Sequence, residues 1–535
     1  MGNESHRRLA LIAAFLMAAT ALSRVLGLVR EMVMAWSLGL SPEMGAFTVA
    51  FKAPSLVWTM VSDTALSAAF IPVFSALLVK GNTKEAWRVA GTVAFLAAVV
   101  LGAVSLAGMV FARQVVFIMA PGFQETATAS TISLAVELTR VMFPLVLLLG
   151  LSAICTGILN SYDRFALPAV GPLLWNIVIV GFVVFAAFAF TDYSPRVTYL
   201  AWGVVAGTLV QLGVQVPAVV RQREPGSLAL DLKNPAVRRV GLLAGPVVLS
   251  LGLVNFNWLV NTIFASYISV AAPTVIDKAF RLFQLPQGVF AVALGTVLLP
   301  SLSRLGAERK MEEFRSTLGF GIRQVFFLTL PFTAFFLVLG EPTVRLIYER
   351  GAFESADTQA VAWALYFFCI SMAFVSANTL LTRGFYGIQK TWPPLIMGVV
   401  NLGLNVLFNW LFYRPLGVGG ITLATSLVTI CNFAGLYWLL RRDIGSLNGR
   451  GIAKGVALTV LACLPLAAAG YGAWWGLDHL LGRSVLGQLA SVAGGYLVGL
   501  AVYAAAARLL RLPEMQQVLG LVRRGRERGG EARVD

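Results

Sequence analysis

Again and again along this chain of 535 residues, apolar side chains continue for longer than the core of a water-soluble domain requires. Stretches at about 9–38, 44–79, 85–112, 127–160, 165–190, 197–220, 237–268, 273–303, 316–340, 356–388, 393–413, 418–440, 452–477 and 485–510 each suit a helix crossing the bilayer. About twenty residues at 1.5 Å of rise span roughly 30 Å of hydrocarbon. A composition of 58% hydrophobic and 12% charged residues, with a mean hydropathy of +0.80, belongs to the same class. The expected fold is therefore an all-α polytopic membrane protein with 14 transmembrane helices. The second stretch is long for one crossing and carries Pro54 and Pro72, which predicts a bend or a tilt. The first keeps its arginines and is followed by no small-residue cleavage site, so it reads as a span and not as a removed signal peptide.

An even number of crossings places both termini on one side. The segments on that side carry Arg7, Arg8, Lys80, Lys84, Arg88, Arg164, Arg221, Arg223, Lys233, Arg238, Arg239, Arg304, Arg309, Lys310, Arg315, Arg383, Lys390, Arg441, Arg442, Arg450, Lys454 and the Arg-rich end. The opposite loops hold only Arg113, Arg196, Arg345, Arg350, Arg414 and Arg483. Positive loops stay in the cytoplasm, so both termini are expected there. The net charge of +16 follows from this asymmetry and requires no nucleic-acid partner. The run Arg523-Arg524-Gly525-Arg526-Glu527-Arg528 reads as a basic tail near anionic lipid headgroups.

A faint internal repeat recurs at a spacing of about 225–230 residues. Ala50-Phe51-Lys52 is echoed by Ala279-Phe280-Arg281, Ile71-Pro72 by Leu299-Pro300, and Pro121-Gly122-Phe123 by Arg350-Gly351-Ala352-Phe353. Gly157 to Pro168 matches Gly384 to Pro394, and Asn176 matches Asn401. Six spans separate equivalent points, which predicts parallel repeats related by an axis along the membrane normal. The domain expectation is a first six-helix lobe at 1–222 and a second at 233–442. Two further helices without counterpart fall at 451–511, and a basic tail at 512–535.

Against this apolar background the run from Ser23 to Glu31 and on to Pro54 is costly, because it sets Arg24, Arg30 and Lys52 within expected spans. An ionised side chain at bilayer depth costs roughly 2.5–3.5 kcal/mol on insertion scales, and the usual compensation is a water-filled cavity or a bound anion. Through the repeat, Lys52 and Arg281 become equivalent, and both are directed toward a central interface where transporters of this build keep their site. Arg24 and Arg30 lie about 120° apart on an ideal helix. Ser23 and Arg30 share a stripe, and Lys278, Arg281 and Gln284 share a broader face. The alternative is that some of these cations pair with Glu31, Asp63 or Asp277, or extend to the headgroup layer.

Other intramembrane polar groups have local readings. Glu137 and Arg140, three apart, are expected to neutralise one another. Asn255, Asn257, Asn261, Asn401 and Asn405 are expected as interhelical hydrogen-bond partners. Cys155, Cys369, Cys431 and Cys463 have neither pairing nor metal-ligand spacing and read as packing residues. The only histidines are His6 and His479, and no nucleophile, cofactor or metal constellation assembles. An enzyme is thereby disfavoured. A drug or cation antiporter would need intramembrane carboxylates, for which the candidates reduce to Asp63 and Asp277.

Several motifs together resemble the MurJ/MviN family of lipid II flippases. They are Ser23-Arg24-Val25-Leu26-Gly27 with Arg30, Ala46-Phe47 to Phe51-Lys52-Ala53-Pro54, Ala65-Leu66-Ser67 to Phe70-Ile71-Pro72, and Ala120-Pro121-Gly122-Phe123. Further along come Gly157-Ile158-Leu159-Asn160 with Arg164-Phe165 and Pro168, Asn261 to Ser266, Gly288 to Leu302, and Gly384-Phe385-Tyr386. The similarity covers about 9–442 and, more loosely, the last two helices. It implies membership of the multidrug/oligosaccharidyl-lipid/polysaccharide exporter superfamily in the bacterial inner membrane. The implied activity is transfer of undecaprenyl-pyrophosphate-linked peptidoglycan precursor between leaflets in cell wall biogenesis.

The resemblance also implies partners and roles. Lipid II is the implied substrate, membrane lipids and cell-wall synthesis proteins are the implied partners, and no cofactor or metal is expected. Arg24, Arg30 and Arg281 match the family's cavity arginines, Lys52 its second-span cation, and Ser23 joins them as a substrate-binding candidate. Glu31, Asp63 and Gln284 are gating or charge-balancing candidates. The helices at 451–511 would form a groove for the lipid tail. Gly45, Phe280 and Gln284 stand where relatives often carry acids, and Asn261 and Asn401 are amides where some relatives hold sodium, which weighs against sodium coupling here. Another polyprenyl-linked saccharide, or a drug or cation in an antiporter, are the alternative cargoes.

Overall fold

In hydrocarbon no water is present to satisfy the backbone, so the apolar stretches can lie there only with their amides and carbonyls bonded internally. A computed structural model describes residues 2–61, 67–222 and 230–515, with side chains defined outside 2–14, 61, 67–68, 246–254 and 288–299. Asp63 and the tail from 516 lie outside the described residues. The described chain is helical, in two compact units.

The first unit comprises Met1–Thr274 with Arg350–Glu354. Its helices are α1 (Gly2–Leu38), α2 (Pro42–Val61), α3 (Ser67–Val79), α4 (Thr83–Val110), α5 (Ala112–Met119), α6 (Phe123–Thr126), α7 (Ala129–Met142), α8 (Pro144–Ser161), α9 (Ala166–Ala189), α10 (Tyr193–Val220) and α11 (Pro235–Ser266). The second unit comprises Val275–Glu349 and Ser355–Asp535. It holds α12 (Ala272–Ala307), whose first turn belongs to the first unit, with α13 (Met311–Tyr348), α14 (Ser355–Cys369), α15 (Met372–Gly387), α16 (Trp392–Leu416), α17 (Val418–Ile444), α18 (Gly449–Leu481) and α19 (Val485–Leu509). Among the described residues nine helices are long and apolar enough to cross a membrane, or ten if the bent pair α14 and α15 is one span.

One of the expected single spans, 356–388, is broken by a bend, whereas 127–160 is a single span, Ala129–Ser161, whose hydrogen-bond ladder is interrupted only around Phe143. Pro144 has no N–H to continue the ladder, so α7 stops at Met142 and α8 restarts with Pro144 in its first turn. Ser105 of α4 donates to the carbonyl of Phe143 at 3.1 Å. The bend between α14 and α15 is 42°. There Thr333 of α13 donates to the Cys369 carbonyl at 3.2 Å, and Ser426 of α17 to the Phe367 carbonyl at 2.6 Å.

The helix ends of the first unit are closed in similar fashion. Arg196, on the first turn of α10, donates to the Phe190 and Ala187 carbonyls at the end of α9 and to the Ser37 carbonyl at the end of α1. A cation at two helix C-termini also meets the negative ends of both dipoles. The stretches 121–123 and 350–353, which echo each other in sequence, reach across in opposite directions. Gly122 N–H donates to Ser266 Oγ at 3.0 Å at the end of α11, and Thr126 Oγ1 donates to the Ser266 carbonyl at 2.9 Å. Ala352 N–H donates to the Trp36 carbonyl at 2.9 Å near the end of α1. Both glycines are required by the approach. A Cβ on Gly122 would stand 2.4 Å from Tyr267 N, and one on Gly351, at φ +61°, would stand 2.4 Å from Trp36 O.

In the second unit α13 is the element on which α14, α15, α18 and α19 all pack. The hairpin of α18 and α19 closes on small residues: a Cβ on Gly495 would meet the Gly470 carbonyl at 2.9 Å, and one on Gly499 the Phe335 ring at 2.6 Å. Two ion pairs fasten this part of the unit to α13. Arg345 meets Asp478 at 2.6 Å, with both side chains about 15% exposed, and Arg323 meets Glu514 at 3.0 Å. Leu512 and Glu514, at the head of the segment expected as a basic tail, are buried.

Replacing Ser426 with alanine strands the Phe367 carbonyl at the α14–α15 bend. The expected cost is about 1 kcal/mol, read as a lowered midpoint in thermal unfolding of the detergent-solubilised protein. An unchanged midpoint would mean that the bend satisfies its carbonyls otherwise.

Candidate functional site

The candidate cations of the first unit are placed by helices that the apolar pattern predicts, but the groups around them come from elsewhere in the chain. On α1, Ser23 is half-buried and Arg24 is exposed. A side chain at Gly27 would meet nothing within 4 Å, so this stretch of α1 borders open space. Two turns past Ser23 the helix packs on α9, and Arg30 is held there with its side chain 11% exposed.

Asn176, Glu31 and Trp175 all meet the Arg30 guanidinium. Nη1 donates to Asn176 Oδ1 at 3.1 Å, and Nη2 to Glu31 Oε1 at 2.8 Å. The ring of Trp175 lies beneath it, with its centroid 4.8 Å from the guanidinium carbon. Asn176 is itself oriented, its amide donating to the Pro172 carbonyl at 2.9 Å. The Glu31 pairing weighed as an alternative for Arg30 is thus present, and it coexists with a neutral amide and an indole. Lys52 on α2 has its Nζ 5.4 Å from the ring centroid of Trp258 on α11.

In the second unit Arg281 and Gln284 are both exposed on α12, on one side of the helix. The other side buries Leu282 and Phe283, and Phe283 lies 5.5 Å centroid to centroid from Phe368 of α14. Lys278, three residues before Arg281, is buried where Arg281 is exposed. It is 2% exposed, with its Nζ 4.9 Å from the ring centroid of Tyr348, whose hydroxyl donates to the Lys278 carbonyl at 3.5 Å. Of the sequence candidates, Arg30 and Glu31 therefore come together, Lys278 is buried while Arg281 and Gln284 are exposed, and Asp63 falls outside the described residues.

One expected pair is not formed. Glu137 and Arg140 both lie exposed on α7 and make no ion pair with each other. The i, i+3 spacing brings the side chains to one face, but it does not compel a contact. The expected amide contacts are present in part: Asn401 donates to Asn432 Oδ1 at 2.8 Å between α16 and α17. The residues that sequence reading missed are Trp175 and Trp258. An indole in mid-span is a weak signal, and only its position directly before the repeat-matched Asn176 set Trp175 apart.

Comparison with known proteins gives a consistent result. A family model described as "Lipid II flippase MurJ" matches residues 34–490. The "Lipid II flippase MurJ" of Burkholderia cenocepacia is 30% identical over 427 residues, covering 79% of this chain and 82% of the relative. A "Probable lipid II flippase MurJ" of Rhizobium tropici is 31% identical over 431 residues, covering 79% of each. Among solved structures, one titled "Lipid II flippase MurJ, inward closed conformation" superposes with a TM-score of 0.75 at 23% identity, covering 92% of this chain and 99% of that one. An inward-facing multidrug transporter of the MATE family and MOP superfamily follows at 0.64 and 14%, covering 81% and 99%. These structural likenesses concern the fold.

The exposure pattern on α1 and α12 makes a prediction about water. In a background freed of native cysteines, Arg24→Cys and Arg281→Cys should react with a charged, water-soluble thiol reagent at least about tenfold faster than Lys278→Cys, since thiol reactivity tracks access and thiolate character. Equal rates at all three would show that the exposed faces border lipid and not water.

Proposed function

The chain belongs to the lipid II flippase MurJ family, and from that membership we propose that it moves lipid II from the cytoplasmic to the periplasmic leaflet of the inner membrane. The observation that carries this reading is the family match across residues 34–490, which spans both described units. The protein is a multi-pass transporter of that membrane and works without covalent chemistry on its cargo.

The headgroup pyrophosphate is the chemical demand on the site. It offers several anionic oxygens, and guanidinium forks bind such oxygens through paired N–H donors. We assign Arg24, Arg30, Lys52 and Arg281, with Ser23, to that task, and Glu31, Asp63 and Gln284 to balancing charge when the cargo is absent. The two six-helix lobes, 1–222 and 233–442, rock about this site, and both termini stay in the cytoplasm. Structures that share the fold are titled as inward-facing and outward-facing, which supports alternating access. The polyprenyl chain remains in lipid along the helices at 451–511. A cationic site also couples the cycle to membrane voltage, since one charge crossing 100 mV is worth about 2.3 kcal/mol.

Replacing Arg24 or Arg281 with alanine should abolish growth rescue of a flippase-depleted strain while membrane insertion stays normal. In vesicles, the intact protein should move labelled lipid II between leaflets without altering it. Full rescue by both variants would sink the site assignment. Covalent change of the lipid, or a cation-driven export of soluble drugs in its place, would sink the flippase reading.

A further inference from the structure

We propose that Trp175 and Trp258 are positioning residues that seat the cations Arg30 and Lys52 for the anionic cargo. The proposal rests on the reading of those cations as ligands of the pyrophosphate. An indole face attracts a cation through its quadrupole without adding a formal negative charge. A guanidinium lying over a ring is held by its face, while its five N–H donors point outward in the plane of the group. A seat of this kind fixes direction without contributing a charge that repels an incoming anion. A second carboxylate beside Arg30 would fix direction too, but it would compete for the same donors and repel the incoming anion.

The Trp175 seat is itself anchored from α10. Trp175 Nε1–H donates to Thr208 Oγ1 at 3.1 Å, and the fully buried Thr208 hydroxyl donates in turn to the Val204 carbonyl at 2.9 Å. The adjacent Gly207 leaves the space the indole occupies, since a Cβ there would stand 3.0 Å from both Trp175 Cδ1 and Trp175 O. A line of contact therefore runs from α10 through Trp175 on α9 to Arg30 on α1. The second seat joins α11 to α2, through Trp258 and Lys52. Each seat thus ties a cation-bearing helix to a neighbour, so the cation's direction is set by packing between helices and not by its own flexible stem.

The test is a double-mutant cycle on the full-length protein, reading the half-saturating lipid II concentration and the maximal rate separately in vesicles. Trp258→Leu should raise half-saturation by about fivefold to thirtyfold with a smaller effect on the maximal rate, and Trp258→Phe should recover most of the loss because it keeps a π face. In a Lys52→Gln background the same Trp258→Leu change should add less than about twofold, since the partner it acts through is gone. Thr208→Val, which removes only the anchor of Trp175, should raise half-saturation in the same direction, and Thr208→Ser should restore it. A Trp258→Leu effect of equal size with and without Lys52, or no effect at all, overturns the seat. An unchanged half-saturation in Lys52→Gln and Arg30→Gln overturns the site reading along with it, which separates the two failures.

Discussion

A polar group left alone in hydrocarbon costs several kcal/mol, and the fold can be understood as a set of answers to that cost. A continuous helix answers it for most of the chain. Where the helical ladder is interrupted inside an apolar stretch, a side chain from another helix reaches a backbone carbonyl there: Ser105 at Phe143, Thr333 at Cys369, Ser426 at Phe367. The hydroxyls that do this also bind the helices that carry them to the break. Each interruption is therefore also a joint between helices.

Charge obeys the same constraint with a larger penalty. Arg196 spends its donors on the open ends of α9 and α1, and Arg345 and Arg323 are matched by Asp478 and Glu514. Breaking a buried pair by removing one partner leaves an uncompensated charge, which costs far more than the pair contributes. Such pairs therefore act as fasteners, and here they fix α18 and the segment after α19 to α13. The candidate cations are held in another way. Arg30 meets one carboxylate, one amide and one indole, and Lys52 and Lys278 lie over aromatic rings.

Much of the fold was legible because hydrocarbon imposes a length and a composition on each crossing. The stretches at 165–190 and 485–510 appear as α9 and α19 almost to the residue. What the pattern could not reveal is interruption. The stretch at 356–388 reads as one span whether or not it bends, because both outcomes are equally apolar and Ser426, which meets a carbonyl at the bend, lies on α17. Arg196 looked like a loop charge for the same reason: its three carbonyl partners carry no mark in the sequence. At the site, the cations were visible from their cost alone, while Trp175 and Trp258 were not. Their contacts depend on which ring falls beneath which cation once α1 meets α9 and α2 meets α11. Glu137 and Arg140 show the converse, a spacing that permits a contact the fold does not use.

The crossed clasp at the ends of α1 and α11 bears on the order in which the molecule can be built. The Trp36 carbonyl is among the first groups of this unit to be synthesised, yet the amide that bonds it belongs to Ala352. The groups that cap Ser266, by contrast, at Gly122 and Thr126, precede it on the chain. During synthesis the end of α11 therefore finds its cap waiting, while the end of α1 stays unfinished until most of the protein has entered the membrane. A chain released early carries a first unit with one helix end left open.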